Sequence, residues 1–496
     1  MPHLAALLER GFRGRLRSTV PPVTPAAWTA IATGMGPGRT GVLGFRHLDL
    51  RRASGFDPRL AGSADLRGRT LFEHAAHVGV ALAAYPMTWP PLPIDGGVVL
   101  SGWPRPETAE PPVWPPEEQA RIAAQGPWGV EGPSSTRYTR DGRDDPEAAA
   151  EQLDSRTVAV AKRWLKERHD RLVFVGLQGT DHLAHRFWGQ PALEGCYERF
   201  DRWLGELLTA AGPETACVIV SDHGFGPGPT HQVHLGRALG AAGLLRWAPR
   251  AQGTGGVART LRARLPTRTW KRVRGRLPPA IRRWGFEQAL ARDGLDATRT
   301  AVARVSLYEG WEGLVVQVQG RQRRGHVPPA QWELVRTRAR EVVEALRFEG
   351  ARVVKRVWSR EEVWSGPALP TLPDLIVELA DGFTAGERLD PGPVVETVDR
   401  MAGAGSHRRH GIVAGGGPGL AAGTPPDVDP WDVLPTALAV LGVGVPEAVD
   451  GRPLGALLTV PVPALTPRRA ATSSVRAPEG SPIGGLEQSL RELGYL

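Results

Sequence analysis

Leu4, Leu7 and Leu8 recur at the spacing of one helical face, and Gly11 stands just past them. The chain therefore opens with the end of a short amphipathic helix. Pro21-Pro22-Val23-Thr24-Pro25 breaks any regular pattern, because three prolines fix φ and remove backbone donors. This segment predicts a rigid turn leading into a helix over Ala26 to Thr33, followed by a glycine-rich loop with Gly34, Gly36, Gly38 and Gly41. Three apolar runs have the length and β-branched content of buried parallel strands: Leu172 to Leu177, Cys217 to Val220, and Leu375 to Leu379. A helical pattern over Ala192 to Ala210 separates the first two, which is the βαβ rhythm of a doubly wound sheet. Residues 102–146 read as loop-like insertions, Pro461 to Pro482 as a flexible tail, and Leu486 to Leu490 as a short terminal helix.

Length and composition narrow this picture. A chain of 496 residues can bury a large core in one α/β domain with insertions, or in two to three domains. No apolar stretch approaches the ~18 residues a membrane helix needs, and the amino end lacks the apolar core of a secretory signal. Two cysteines, Cys196 and Cys217, exclude a disulfide framework and fit a reducing compartment, so the expected location is the cytoplasm. The net charge of +9 is almost entirely arginine, which binds phosphate bidentately and suits an anionic substrate without identifying one. Residues 248–284 are rich in arginine and contain no acidic residue. A solvated surface insertion accounts for them, as would a basic lid or a membrane or nucleic-acid patch. Nothing in the sequence singles out nucleic acid or membrane as a partner, or defines an oligomeric state.

Candidate chemistry gathers at strand tips. Gly179-Thr180-Asp181-His182-Leu183-Ala184-His185 follows the run ending at Leu177, where α/β folds place their sites. Asp181 and His185 stand i and i+4, so on a helical turn they face one way and can share a cation; Asp181 can equally cap that helix. Ser221-Asp222-His223-Gly224-Phe225-Gly226 sets a second carboxylate and imidazole at the tip of the run ending at Val220. Gly405-Ser406-His407-Arg408, expected in a loop after the third run, offers a further imidazole. Mixed imidazole and carboxylate ligands describe a catalytic zinc or manganese site. Thr24, ahead of a helix N-terminus, can meet a phosphoryl group held by free backbone N–H groups, or can merely cap the helix.

In order, these segments resemble the type I phosphodiesterase/nucleotide pyrophosphatase branch of the alkaline phosphatase superfamily. Pro21 to Thr29 with Thr33-Gly34 and Pro37-Gly38 looks like that family's nucleophile segment. Tyr85-Pro86-Met87-Thr88-Trp89-Pro90-Pro91 resembles a stretch of its prokaryotic members, and Pro435 to Gly442 with Asp450-Gly451-Arg452 its C-terminal segment. The resemblance implies an alkaline-phosphatase-like α/β fold, a doubly wound and mostly parallel sheet flanked by helices with an inserted cap. The expected division is a core over 1–235 and 300–458, an arginine-rich insertion or cap over 236–299, and a tail over 459–496. It implies two divalent metal ions, zinc first and manganese second, and a phosphate-ester substrate, a diester above all. Asp181, His185 and His407 would hold one metal, and Asp222 and His223 the other. Thr24 would attack phosphorus to form a phosphothreonine that water then hydrolyses. No substrate-binding residue is assigned.

Three positions depart from the family pattern. The family's second metal has another aspartate, at the end of a first strand upstream of the nucleophile, whereas Met1-Pro2-His3-Leu4 resembles the segment after that strand. A start codon assigned too far downstream is the favoured explanation. Ala27 stands where many relatives carry an asparagine on the phosphoryl oxygens, and Thr40 where a histidine is usual. The competing functions are a phosphotransferase or mutase of the same superfamily, and a non-catalytic metal- or polyanion-binding protein.

Overall fold

The computed structural model describes residues 1–50, 56–66, 70–103, 112–124, 145–247, 295–296, 298–322, 324–389, 391–398 and 404–466. The arginine-rich segment 248–284, the helix expected at Leu486 to Leu490, and most of the expected insertions and tail lie outside these residues.

The elements that build the site run, in chain order, as follows. First come helix α1 (Pro2–Arg10), strand β1 (Phe12–Arg17), helix α2 (Thr24–Thr33), and strands β2 (Val80–Tyr85), β3 (Val98–Ser101) and β4 (Val113–Trp114). Then come α3 (Pro146–Glu167), β5 (Leu172–Val175), α4 (Gly179–Phe187), α5 (Pro191–Ala211), β6 (Cys217–Val220) and β7 (Gly224–Pro227). The second half contributes β8 (Val302–Tyr308), β9 (Trp311–Val316), α6 (Trp332–Glu344), β10 (Val354–Ser359) and β11 (Leu375–Leu379). Strands β12 (Gly405–Arg408) and β13 (His410–Gly416) and helix α7 (Pro430–Val440) follow.

One sheet has the order β4-β3-β2-β5, with parallel pairing from β3 through β2 to β5. Every residue of β2 is buried, the mark of a strand covered by helices on both faces. A second sheet, β1-β13-β6, is antiparallel throughout, with Phe12 opposite Gly415 and Val413 opposite Val220. A third, β8-β9-β11-β10, is also antiparallel. Helix α2 buries nine of its ten residues, and its small side chains allow close packing on α7. Leu82 and Tyr85 of β2 join the same cluster.

Five local expectations change. Cys217–Val220, expected as a buried parallel strand, is half-buried and pairs antiparallel with β13. Leu375–Leu379 is fully buried, but it pairs antiparallel with β9 and β10, because strand direction depends on partners distant in sequence. The run from Leu172 stops as a strand at Val175. Helix α2 begins at Thr24 itself, since Pro25 is tolerated in a first turn. Within 102–146, β4 and a short helix at Glu118–Ala123 interrupt the expected loop.

Candidate metal and nucleophile site

The chain leaves β5 at Val175 and enters α4 through Gly176-Leu177-Gln178, which sets Asp181 and His185 one turn apart. Asp154 of α3 fixes that entry: its Oδ1 accepts the Gln178 N–H at 2.8 Å and its Oδ2 the Gly179 N–H at 2.9 Å. Burial pushes the Asp154 carboxyl up to about 7, against the pull of those two N–H groups. The N-cap of α4 is Gln178, so Asp181 is not its cap.

After β6, the tip Ser221-Asp222-His223 is anchored from both sides. Ser221 Oγ accepts the Ile412 N–H at 2.8 Å, and Ser18 Oγ donates to the Asp222 carbonyl at 2.5 Å. The chain then pairs as β7 with β12, His407 opposite Phe225. His407 therefore sits on a strand rather than in the expected loop; β12 exists only through its pairing with β7, far back in the chain. Two glycines allow this close approach. A Cβ on Gly405 would lie 2.3 Å from the Ala184 carbonyl oxygen of α4, and one on Gly224 would lie 2.0 Å from that of His410.

The side chains converge. Asp181 Oδ1 lies 3.4 Å from His407 Nε2 and 3.8 Å from both His185 Nε2 and His223 Nε2. His223 Nε2 lies 3.3 Å from Asp222 Oδ2, and His185 Nε2 lies 3.1 Å from His407 Nε2. Thr24 is the first residue of α2, and its hydroxyl lies beside the Asp222 carboxylate and favours its ionised form. The turn before it meets His407, whose Nδ1 donates to the Pro22 carbonyl at 3.0 Å. All six residues singled out in the sequence thus meet at one place. His223 stands between the two ligand groups drawn from the sequence, as near to Asp181 as His185 is.

Tautomers sharpen this geometry. A carbonyl accepts only from N–H, so the bond to Pro22 puts the proton of His407 on Nδ1 and aims the Nε2 lone pair into the cluster. Burial, with His223 beside it, holds the His407 imidazole well below its usual range, so it is neutral. His223 Nδ1 likewise faces the Gly224 carbonyl at 3.2 Å, turning its Nε2 inward. Burial would raise Asp181, but His185, His407 and His223 outweigh it and keep the carboxylate ionised. Burial raises the Asp222 carboxyl, against the opposing pull of His223 and Thr24.

Inward lone pairs and carboxylates repel one another without a cation between them. Among the described residues, His223 Nε2 and Asp222 Oδ2 are buried with no hydrogen-bond partner. Such groups cost about 1–3 kcal/mol each when left unsatisfied. The ligand atoms of Asp181, His223 and His407 all lie within 4.8 Å of one another, and two imidazole nitrogens with a carboxylate form the donor set of a zinc or manganese site. The residues present fit a divalent cation.

Sequence reasoning missed three supports of this site: Asp154, the Pro22 carbonyl, and Tyr308, whose ring centroid lies 4.4 Å from that of His407. Asp154 did carry a signal, a carboxylate four residues after Ala150 on the buried stripe of α3 that continues to Val158 and Ala161.

The α/β frame thus carries a hydroxyl beside clustered imidazoles and carboxylates at its strand tips. Solved structures of similar fold include phosphonoacetate hydrolase from Sinorhizobium meliloti 1021 in complex with phosphonoformate, 18% identical, with 87% of this chain and 88% of that one covered and a TM-score of 0.50. The alkaline phosphatase PafA is 14% identical over 92% of this chain and 93% of its own, with a TM-score of 0.50. Human ectonucleotide pyrophosphatase/phosphodiesterase 5 is 12% identical over 89% and 90%, with a TM-score of 0.45. Among curated protein sequences, none matches this chain significantly. Residues 1–412 match the type I phosphodiesterase/nucleotide pyrophosphatase family, and the chain belongs to that family of hydrolases of phosphoric ester bonds.

Proposed function

We propose that this chain is a metal-dependent phosphodiesterase that works through a phosphothreonine on Thr24. The observation that carries the proposal is the convergence of the inward-turned His407 and His223 nitrogens with Asp181 and Asp222, beside a threonine hydroxyl at a helix N-terminus. Asp181, His185 and His407 would hold one divalent cation and Asp222 and His223 the other, zinc first and manganese second. Bound there, such ions supply charge neutralisation at the phosphoryl oxygens and lower the pKa of a hydroxyl.

The chain's own residues do the rest. Thr24 stands beside the Asp222 carboxylate, and its hydroxyl proton passes to solvent as Oγ1 bonds to phosphorus. The bond from phosphorus to the leaving oxygen breaks, and that oxygen takes a proton from solvent. Water then attacks the phosphothreonine, its Oγ1–phosphorus bond breaks, and a monoester leaves. In the first turn of α2, Pro25 has no N–H and the Ala27 N–H donates to the Val23 carbonyl at 3.0 Å, which leaves the N–H groups of Thr24 and Ala26 for the phosphoryl oxygens. Ala27 offers no hydrogen-bonding side chain to them, so the contacts to the phosphoryl oxygens must come from metals, backbone or arginine.

Turnover of bis-p-nitrophenyl phosphate with zinc or manganese tests this proposal. Thr24→Ala should lose about 10³-fold or more in kcat. Retained activity in that variant would remove Thr24 from its role. Labelled water should appear in the released monoester; label-free product passed to an added alcohol would instead identify a phosphotransferase.

A further inference from the structure

Basic side chains outnumber acids where the sheet β1-β13-β6 meets the sheet β8-β9-β11-β10. Arg15 of β1 pairs with Asp427 at 2.9 Å, and Arg17 with Asp429 at 2.8 Å. Lys355 of β10 pairs with Glu378 of β11, also at 2.9 Å. Glu378 stands opposite Arg356 in the pairing of these two strands, so the acid facing that arginine is already held. Arg409, in the bend between β12 and β13, has Arg17, Arg356, Glu378 and Asp429 as its charged neighbours. Each acid among them is matched by another cation, and Arg356 and Arg409 are left over.

These two converge on one ring. The guanidinium carbon of Arg356 lies 4.9 Å from the centroid of the Trp358 ring, and that of Arg409 lies 5.9 Å from it. Trp358 is buried and stacks on Trp311, with ring centroids 5.6 Å apart and planes within 7° of parallel. An aromatic face offsets part of a guanidinium's charge, but it gives the N–H groups no oxygen to donate to. Among the described residues, neither guanidinium has a hydrogen bond or an ion pair, and Arg409 Nε is buried without a partner. Burial holds Arg409 below the usual arginine range, and Arg17 and Arg356 push it the same way. Arginine keeps its proton in proteins, so what relieves this crowding is an anion.

We infer that Arg356 and Arg409 bind a small tetrahedral oxyanion, phosphate or sulfate, between the N–H edges of their guanidinium groups. The planar fork of an arginine matches two oxygens of such an ion, and two forks can share one ion. A divalent cation is repelled here. A nucleobase finds no platform, because Trp311 and Trp358 are each only 5% exposed and cover one another. None of the charged neighbours of Arg409 is a candidate metal ligand, so this site is separate from the cluster around Thr24. The two are joined through the backbone. Arg409 follows His407 by two residues, and its carbonyl accepts the N–H of Ser18, whose Oγ donates to the Asp222 carbonyl.

Calorimetric titration of inorganic phosphate into the full chain tests the assignment, with divalent metal bound and again after chelation. The chelated protein should still bind phosphate, a result that does not depend on the phosphodiesterase proposal. Sulfate should compete for the site, and chloride at the same ionic strength should not. Arg409→Gln and Arg356→Gln should each weaken binding by about tenfold or more, the loss of a charge-assisted bidentate contact. Arg356 is exposed, so its variant keeps the fold and carries the test if Arg409→Gln is unstable. Arg13→Gln, which removes the same charge from an exposed position of β1, should bind like the parent protein. No phosphate binding by the chelated chain, unchanged binding in Arg356→Gln, or equal weakening by Arg13→Gln would each overturn the site.

Discussion

Asp154 touches neither Thr24 nor a candidate ligand, yet both of its oxygens hold the first turn of the helix that carries Asp181 and His185. Asp154→Ala leaves two N–H donors without their acceptor and should cost about 1–3 kcal/mol in urea unfolding, while Asp154→Asn, which keeps one acceptor, should cost less. Equal stability of all three proteins would mean that the turn finds other partners. At His407 the division of labour lies within one ring: Nδ1 is spent on Pro22, which leaves Nε2 for the cluster. His407→Ala should lower zinc affinity by about 100-fold or more, beyond the loss typical of a supporting residue, with unchanged far-UV circular dichroism. Metal content equal to that of the parent protein would refute the ligand assignment.

Among elements, the pairing of β7 with β12 does most to assemble the site, because it brings His407 against the tip that follows β6. The antiparallel sheet β8-β9-β11-β10 carries a separate electrostatic load. Glu312 on β9 is fully buried and accepts from Arg304 at 2.8 Å, and burial still pushes its carboxyl from 4.5 up to about 7. The folded protein therefore holds this proton more tightly than the unfolded chain. The resulting stability is fully present below about pH 4.5 and is lost as pH rises through about 7. Glu312→Gln should flatten the fall in melting temperature across that window, and parallel profiles for the two proteins would exclude Glu312 as its source.

For the molecule as a whole, the site is a junction: α2, α4, the tip after β6 and β12 come from four distant parts of the chain. A cation bound where they meet ties the frame together and adds stability by mass action, about 2.7 kcal/mol at a hundredfold excess over Kd. Zinc or manganese should raise the melting temperature of the parent protein, and His407→Ala should diminish the rise. A chelator-treated protein that melts at the same temperature with or without added metal would contradict this linkage. Among the described residues, no helix is long and apolar enough to cross a membrane.

The placement of candidate side chains at the ends of β5 and β6 was legible in the amino-acid order, because the Asp181/His185 and Asp222/His223 pairs follow their apolar runs within a few residues and helical spacing is local. The proline-framed Thr24 was legible for the same reason. The antiparallel direction of Leu375–Leu379, the strand character of Gly405–Arg408 and the bond from His407 to Pro22 were not, since each depends on a partner far along the chain. Nor could residue order reveal that Arg356 and Arg409 meet over one tryptophan ring. Short-range periodicity records what a segment prefers to be. Pairing, direction and the tautomer of a buried imidazole arise only when distant segments compete for the same hydrogen bonds and the same dry space.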